Sequence, residues 1–145
     1  MGKSKYFKNK EDFVKVMTPL FDKLKTDPTV GPAVAKEKII VRFEYNDPDA
    51  SVTINAKDKP ADPKEFLTYA WDVKTPEPDV IMSNSADYCL RFWQGKENPV
   101  LSITLGKLKA KGNVAKALGM LPAIKPAYKM FPEILKQSGR KDLVV

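Results

Sequence analysis

The sequence contains no histidine and a single cysteine, Cys89. Without histidine there is no imidazole to act as a general base near neutral pH or to ligate a metal. Serine–histidine and cysteine–histidine nucleophile pairs are excluded, and one thiolate cannot build a zinc cage. No intramolecular disulfide can form, which suits a reducing compartment, and a cytoplasmic location is the expectation. No apolar run approaches the roughly 20 residues that span a bilayer. Met1–Lys10 carries lysines at 3, 5, 8 and 10 but lacks the apolar stretch of a secretory leader. The terminal Asp142-Leu143-Val144-Val145 is not a Ser-Lys-Leu type address. Gly-x-Gly-x-x-Gly fingerprints and phosphate loops are also missing. The expectation from these absences is a protein that is not an enzyme, with no catalytic residue, metal or cofactor.

What is present fits one domain, residues 1–145, long enough to bury a core without covalent staples. Lysine and arginine total 25 against 18 acidic residues, a net charge of +7. Such a surface is either a solvated coat or a face for acidic partners such as nucleic acid, anionic membrane or anionic acyl groups.

Asn9 caps a helix in which Phe13, Val16, Met17, Leu20, Phe21 and Leu24 recur at helical spacing, with Pro19 inside it. Asp27-Pro28 stops it, and Val30–Ala35 is at most a short helical turn. The period then changes to two. Ile39, Val41, Phe43 and Tyr45 form one buried strand face; Val52, Ile54 and Ala56 form the next, across the Asn46–Asp49 turn. Leu67, Tyr69, Trp71 and Val73 give a third strand, and Val80–Asn84 a short fourth. Ser85 caps a helix carrying Cys89, Phe92 and Trp93 on one face, and Gly95 ends it. Leu101, Ile103 and Leu105 share odd parity with Lys107, Lys109 and Lys111, so one straight strand would mix apolar and charged residues on a face. A helical turn at about 100–104 followed by a strand at about 105–111 removes the conflict. Beyond Gly112-Asn113, Val114, Ala117, Leu118 and Leu121 read as a short helix, and Pro122, Pro126 and Pro132 divide the rest into two or three jointed helical pieces. The reading is an α+β fold with a mostly antiparallel sheet covered by helices on one face.

Three features invite chemistry and are read more plainly. Gly106–Gly112 looks like a basic glycine loop, but its lysines alternate as on a solvent-facing strand. Asp47 and Asp49 flank a turn proline. Cys89 lies among apolar residues with no base and reads as an inert core thiol. Nucleic-acid binding is not expected, because Tyr69 and Trp71 lie on the apolar strand face and no aromatic platform is interleaved with lysines. The last third is rich in apolar residues, among them Met120, Leu121, Ile124, Tyr128, Met130 and Phe131. On pattern alone they complete the core; the alternative is an adaptable wall for an apolar ligand.

The stretch PDVIMSNSADYCLRFWQGKENP, followed at 106–113 by GKLKAKGN, resembles the sterol carrier protein family. Pro78–Leu118 matches that pattern without gaps, and upstream the element order agrees with little residue identity. The resemblance implies a five-stranded, mostly antiparallel sheet with helices over one face and an apolar tunnel between them. It also implies reversible binding and transfer of sterols, phospholipids, fatty acids or fatty acyl-CoA. Tunnel candidates are Trp71, Met82, Phe92, Trp93, Ile103, Leu105, Leu118, Leu121, Met130 and Phe131. The expected partner is a lipid or other long apolar molecule, with transient contact to an anionic membrane surface through lysines including Lys107, Lys109 and Lys111. The alternative is an accessory module that presents an apolar substrate to a separate enzyme. Three departures from the family pattern bear on the ligand rather than the fold. Asn84 stands where methionine is usual, Ser102-Ile103-Thr104 replaces an aromatic, and the C-terminus is broken by prolines. Sterol specificity does not carry over.

Overall fold

The computed structural model describes residues 3–145; Met1 and Gly2, the start of the lysine-rich N-terminal stretch, lie outside the described residues. Helix α1 (Lys10–Thr26) begins where the Asn9 side chain accepts from the Asp12 N–H at 2.9 Å. Phe13, Met17 and Leu20 on its inner stripe are completely buried. At its end the Asp27 carboxylate accepts from the Thr29 and Val30 N–H groups, which starts α2 (Val30–Ala35).

The sheet comprises β1 (Ile40–Asn46), β2 (Ala50–Asn55), β3 (Thr68–Trp71), β4 (Val80–Ser85) and β5 (Lys109–Gly112), in the spatial order β3-β2-β1-β4-β5. It is mostly antiparallel; the exception is β1 beside β4, which run parallel with Phe43 opposite Met82. Side chains alternate across the pleat. Val41, Phe43 and Tyr45 on β1 and Val80, Met82 and Asn84 on β4 therefore face the helices, all buried.

After β4 the chain enters α3 (Ala86–Phe92), whose Ser85 cap accepts from the Tyr88 N–H at 3.0 Å. It continues into α4 (Pro99–Thr104), capped by Asn98. β5 leads to α5 (Val114–Gly119), α6 (Leu121–Ile124), α7 (Ala127–Gln137) and a short 3-10 turn, Lys141–Leu143. Pro122 lies at the start of α6, Pro126 caps α7, and Pro132 sits inside α7. α6 packs on α2, and α7 packs on α1. All these helices cover one face of the sheet.

Two strand boundaries differ from the sequence expectation. β3 ends at Trp71 rather than Val73, because Asp72 adopts a left-handed φ of 56° and accepts from the Ser51 N–H with its carboxylate. β5 begins at Lys109 rather than near 105, because Gly106 turns at φ 78° and the N–H groups of Lys107 and Leu108 both go to the Ser102 carbonyl.

Candidate functional site

Between the β1/β4 floor and the α5–α6 roof lies an apolar slot pinched into two cavities. Val41 and Phe43 from the floor and Met120 and Ile124 from the roof line both, so these four side chains form the pinch. The cavity toward β5 is walled by Met82, Tyr88, Phe92, Pro99 and Leu108 and closed above by Ala117 and Leu121. The other runs toward β3, walled by Phe21, Leu24, Val30, Leu67 and Trp93. Aromatic edges define its end, with the Trp93 ring 6.0 Å from Phe21 and 6.5 Å from Phe43.

The cavities measure about 20 and 30 Å³. Each has room for a water or two, whereas drug-sized ligands occupy pockets of roughly 300–1,000 Å³. The slot is thus closed, and a long chain enters only if a wall moves. The wall suited to move is the roof. α6 is four residues long, carries Pro122 in its first turn and has no side-chain cap, and Met120 has the flexible side chain that refits most readily around a guest.

The sequence-chosen residues distribute unevenly around the slot. Met82, Phe92 and Leu121 line the cavity beside β5, and Trp93 lines the other. Phe131 is fully buried in the core and lines neither. Trp71, Ile103 and Met130 are half-buried against the core; Trp71 is held between Phe13 and Phe21, and its Nε1 donates to Thr18 Oγ1 at 3.2 Å. Leu118 is half-buried, and Leu105, at the C-terminal end of α4, is 60% exposed. The sequence reading missed Met120 and Ile124 as the pinch and Tyr88 as a wall. Met120 and Ile124 stand four residues apart, the spacing of one helix face, and that spacing is the signal that could have paired them.

The reactive groups are quiet. Cys89 is buried, and burial pushes its thiol up to about 12. The Tyr45 hydroxyl beside it is buried without a hydrogen-bond partner, and burial raises it well above the usual phenol range. Among the described residues two other buried side-chain polar atoms lack partners: Asn84 Oδ1 and the Tyr88 hydroxyl, the latter next to the Ser102 side chain without a hydrogen bond of good geometry.

The model of the SCP-2 sterol transfer family matches residues 20–125, from the middle of α1 to the end of α6. The chain belongs to this family. Among solved structures, this family member is similar to the sterol carrier protein domain 2 of Helicoverpa armigera. The two are 26% identical, with a TM-score of 0.61, over 88% of this chain and 94% of that one. Sterol carrier protein 2 from Yarrowia lipolytica in its apo form aligns at 23% identity and a TM-score of 0.58, over 87% of this chain and 96% of that one. A structure described as a UbiJ-SCP2 ubiquinone synthesis protein shares the fold at 12% identity and a TM-score of 0.56, over 79% and 89% of the two chains. No curated protein matches this SCP-2 chain. The match covers every strand and the whole slot, including both pieces of the roof; it leaves out α7 and the tail. No helix among the described residues is long and apolar enough to cross a membrane.

Proposed function

We propose that this protein is a non-catalytic carrier that holds one long apolar chain, of a fatty acid, acyl-CoA, phospholipid or sterol-like molecule, between β1/β4 and α5–α6. The observation that carries this reading is the pinched apolar slot under a proline-jointed roof. Swinging Met120 and Ile124 off Val41 and Phe43 would join the two cavities into one channel. Met82, Phe92, Trp93 and Leu121 are the contact residues in this reading, and Phe131 anchors the frame. The lack of histidine and the buried, un-ionised Cys89 support binding without covalent change.

A carrier must meet a bilayer, and α4 offers the place. Val100, Leu101 and Leu105 are exposed by 53–60%. Lys107, Lys109 and Lys111 follow within a few residues, all exposed. Apolar tips ringed by lysine suit shallow, brief contact with an anionic surface in the cytoplasm. The same exposed residues would serve the second reading, an accessory module feeding an apolar substrate to an enzyme, which the likeness to the ubiquinone synthesis protein favours.

The test is native mass spectrometry of freshly expressed protein, with titration of a fluorescent fatty acid or acyl-CoA against tryptophan emission. Trp93 lines the slot, so occupancy should give a saturable change. If no chain-bearing ligand binds at micromolar concentration, the carrier reading is wrong.

A further inference from the structure

Pairing between β4 and β5 stops at Ser83–Lys109. Beyond it the strands part, with Asn84 and Ser85 on one side and Gly106–Leu108 on the other. The gap opens outward into a surface depression of about 480 Å³. Lys107, Lys109, Arg91 and Ser83 line that depression, together with Asn84 and Tyr88. The last two also line the apolar cavity that holds Met82 and Met120. One wall therefore serves both a basic basin and an apolar slot.

That wall is unsettled. Asn84 is 6% and Tyr88 2% exposed, and among the described residues Asn84 Oδ1 and the Tyr88 hydroxyl have no hydrogen-bond partner. Leaving buried polar atoms unpaired costs stability, so such atoms point to a missing partner. The Tyr88 hydroxyl can donate, and half a turn of the Asn84 amide presents its N–H donors in place of Oδ1. The sign of the basin is set by the lysines. Arg91 is already engaged, its Nε 2.8 Å from Glu97 Oε2. Lys107 and Lys109 are exposed and, among the described residues, have no carboxylate within ion-pair distance, although Glu44 shares the outer row of Ser83 and Lys109 one strand further on.

We propose that this gap is the head-group site of a single-chain amphiphile with an oxyanion head, carboxylate or phosphate, whose tail passes between Asn84 and Tyr88 into the slot. The proposal rests on the carrier reading and adds a location and a charge to it.

The test measures binding of hexadecanoate, hexadecyl phosphate and hexadecanol at low salt and mildly alkaline pH, by tryptophan emission and native mass spectrometry. The proteins are the wild type, Lys107→Gln/Lys109→Gln, and Lys111→Gln as a control that lies on the same strand outside the basin. The wild type should bind at least one anion about tenfold tighter than hexadecanol, as a charge-assisted hydrogen bond allows. The double variant should lose that preference by weakening the anion alone, and Lys111→Gln should keep it. The tighter of the two anions identifies the head. Equal binding of all three ligands by the wild type overturns the head-group site and leaves the carrier reading standing, as does a preference that survives the double variant or a uniform loss for charged and neutral ligands. Failure of all three ligands to bind overturns the carrier reading itself.

Discussion

The roof of the slot and the helix that follows it use similar residues and are held in different ways. α5 and α6 cover the cavities with Ala117, Met120, Leu121 and Ile124, are six and four residues long, and join at Met120, two residues before Pro122. α7 is 11 residues long, buries Phe131 and Leu135, and touches neither cavity. Its far end is tied down: Arg140 Nη1 lies 2.8 Å from Asp12 Oδ1 on α1. The buried Gln94 side chain donates to the Leu143 carbonyl at 2.9 Å and accepts from the Val145 N–H at 3.0 Å. Tyr128 braces the near end against Gly95, whose φ of 75° places a bare Cα under the ring. The contrast assigns movement to the short pieces and anchorage to the long one. The family match, which stops at Lys125, falls on this boundary.

The sharpest way to break the contrast is truncation on both sides of it. Phe131→Ala should cost about 3–5 kcal/mol in urea unfolding, the usual loss for a fully buried aromatic. Leu121→Ala, at a half-buried lip of the roof, should cost no more than ~1–2 kcal/mol and instead change ligand affinity. Equal destabilisation by the two would mean that the roof is as fixed as α7.

A second probe separates the tail from the slot. Gln94→Leu removes the bonds to Leu143 and Val145 and leaves a buried carbonyl unpaired, a loss of roughly 1–3 kcal/mol. Amide exchange should quicken at Leu143–Val145 and stay slow along β1. Affinity for hexadecanol should not change. A variant that binds more tightly or more weakly by tenfold would show that the tail takes part in gating.

Most of this architecture was legible in the sequence, because it rests on local signals. Asn9 and Ser85 each mark a helix start, and period-two runs mark β1, β2 and the body of β3. The parity clash between Leu101–Leu105 and Lys107–Lys111 correctly divided α4 from β5. The ends of β3 and β5 were less legible, since they depend on left-handed backbone at Asp72 and Gly106 and on where two N–H groups find an acceptor. The slot was the hardest to read. Its floor comes from strands some 40 residues apart that meet in parallel, and its pinch sets Met120 and Ile124 against Val41 and Phe43 from far along the chain, so sequence spacing pairs residues within an element without showing which elements converge. Four of the ten line the cavities.

Titration probes the tail and the core between β1 and α3 from opposite ends of the pH scale. Burial pushes the Asp12 carboxyl up, but the Lys8 N–H and the Arg140 guanidinium outweigh it and hold the group below 3.8. A depressed carboxyl gives stability above its unfolded pKa and loses it as pH falls through the folded one. Amides beyond Gln137 should therefore lose protection first below about pH 4, before the sheet. Burial raises Cys89 from 9.0 to about 12, so its contribution is complete below pH 9 and fades as pH climbs toward 12. The core around Tyr45 and Cys89 should thus weaken in alkali. A tail that stays protected in acid until global unfolding would remove the Asp12–Arg140 tie from the account.

The smallest effect expected on the folded protein concerns the lysines, and it separates membrane encounter from ligand binding. Lys107→Gln/Lys109→Gln/Lys111→Gln alters three exposed side chains and should change stability by no more than ~0.5 kcal/mol. With hexadecanol as cargo the head is uncharged, so equilibrium affinity should stay constant even if the head-group site exists. Each lysine near an anionic bilayer contributes on the order of 1 kcal/mol within about a Debye length, and salt screens it. Together the three allow up to about 3 kcal/mol, so transfer between anionic vesicles should slow by as much as about a hundredfold in the triple variant, and transfer between neutral vesicles should be unaffected. Rising salt should bring the wild type down to the variant's rate. Replacing Val100 and Leu101 by serine should slow transfer to both kinds of vesicle, because apolar insertion does not depend on lipid charge. If the wild type transfers hexadecanol at one rate whatever the lipid charge and salt, α4 and its neighbouring lysines do not meet the membrane, and the exposed apolar tips are left to an enzyme partner.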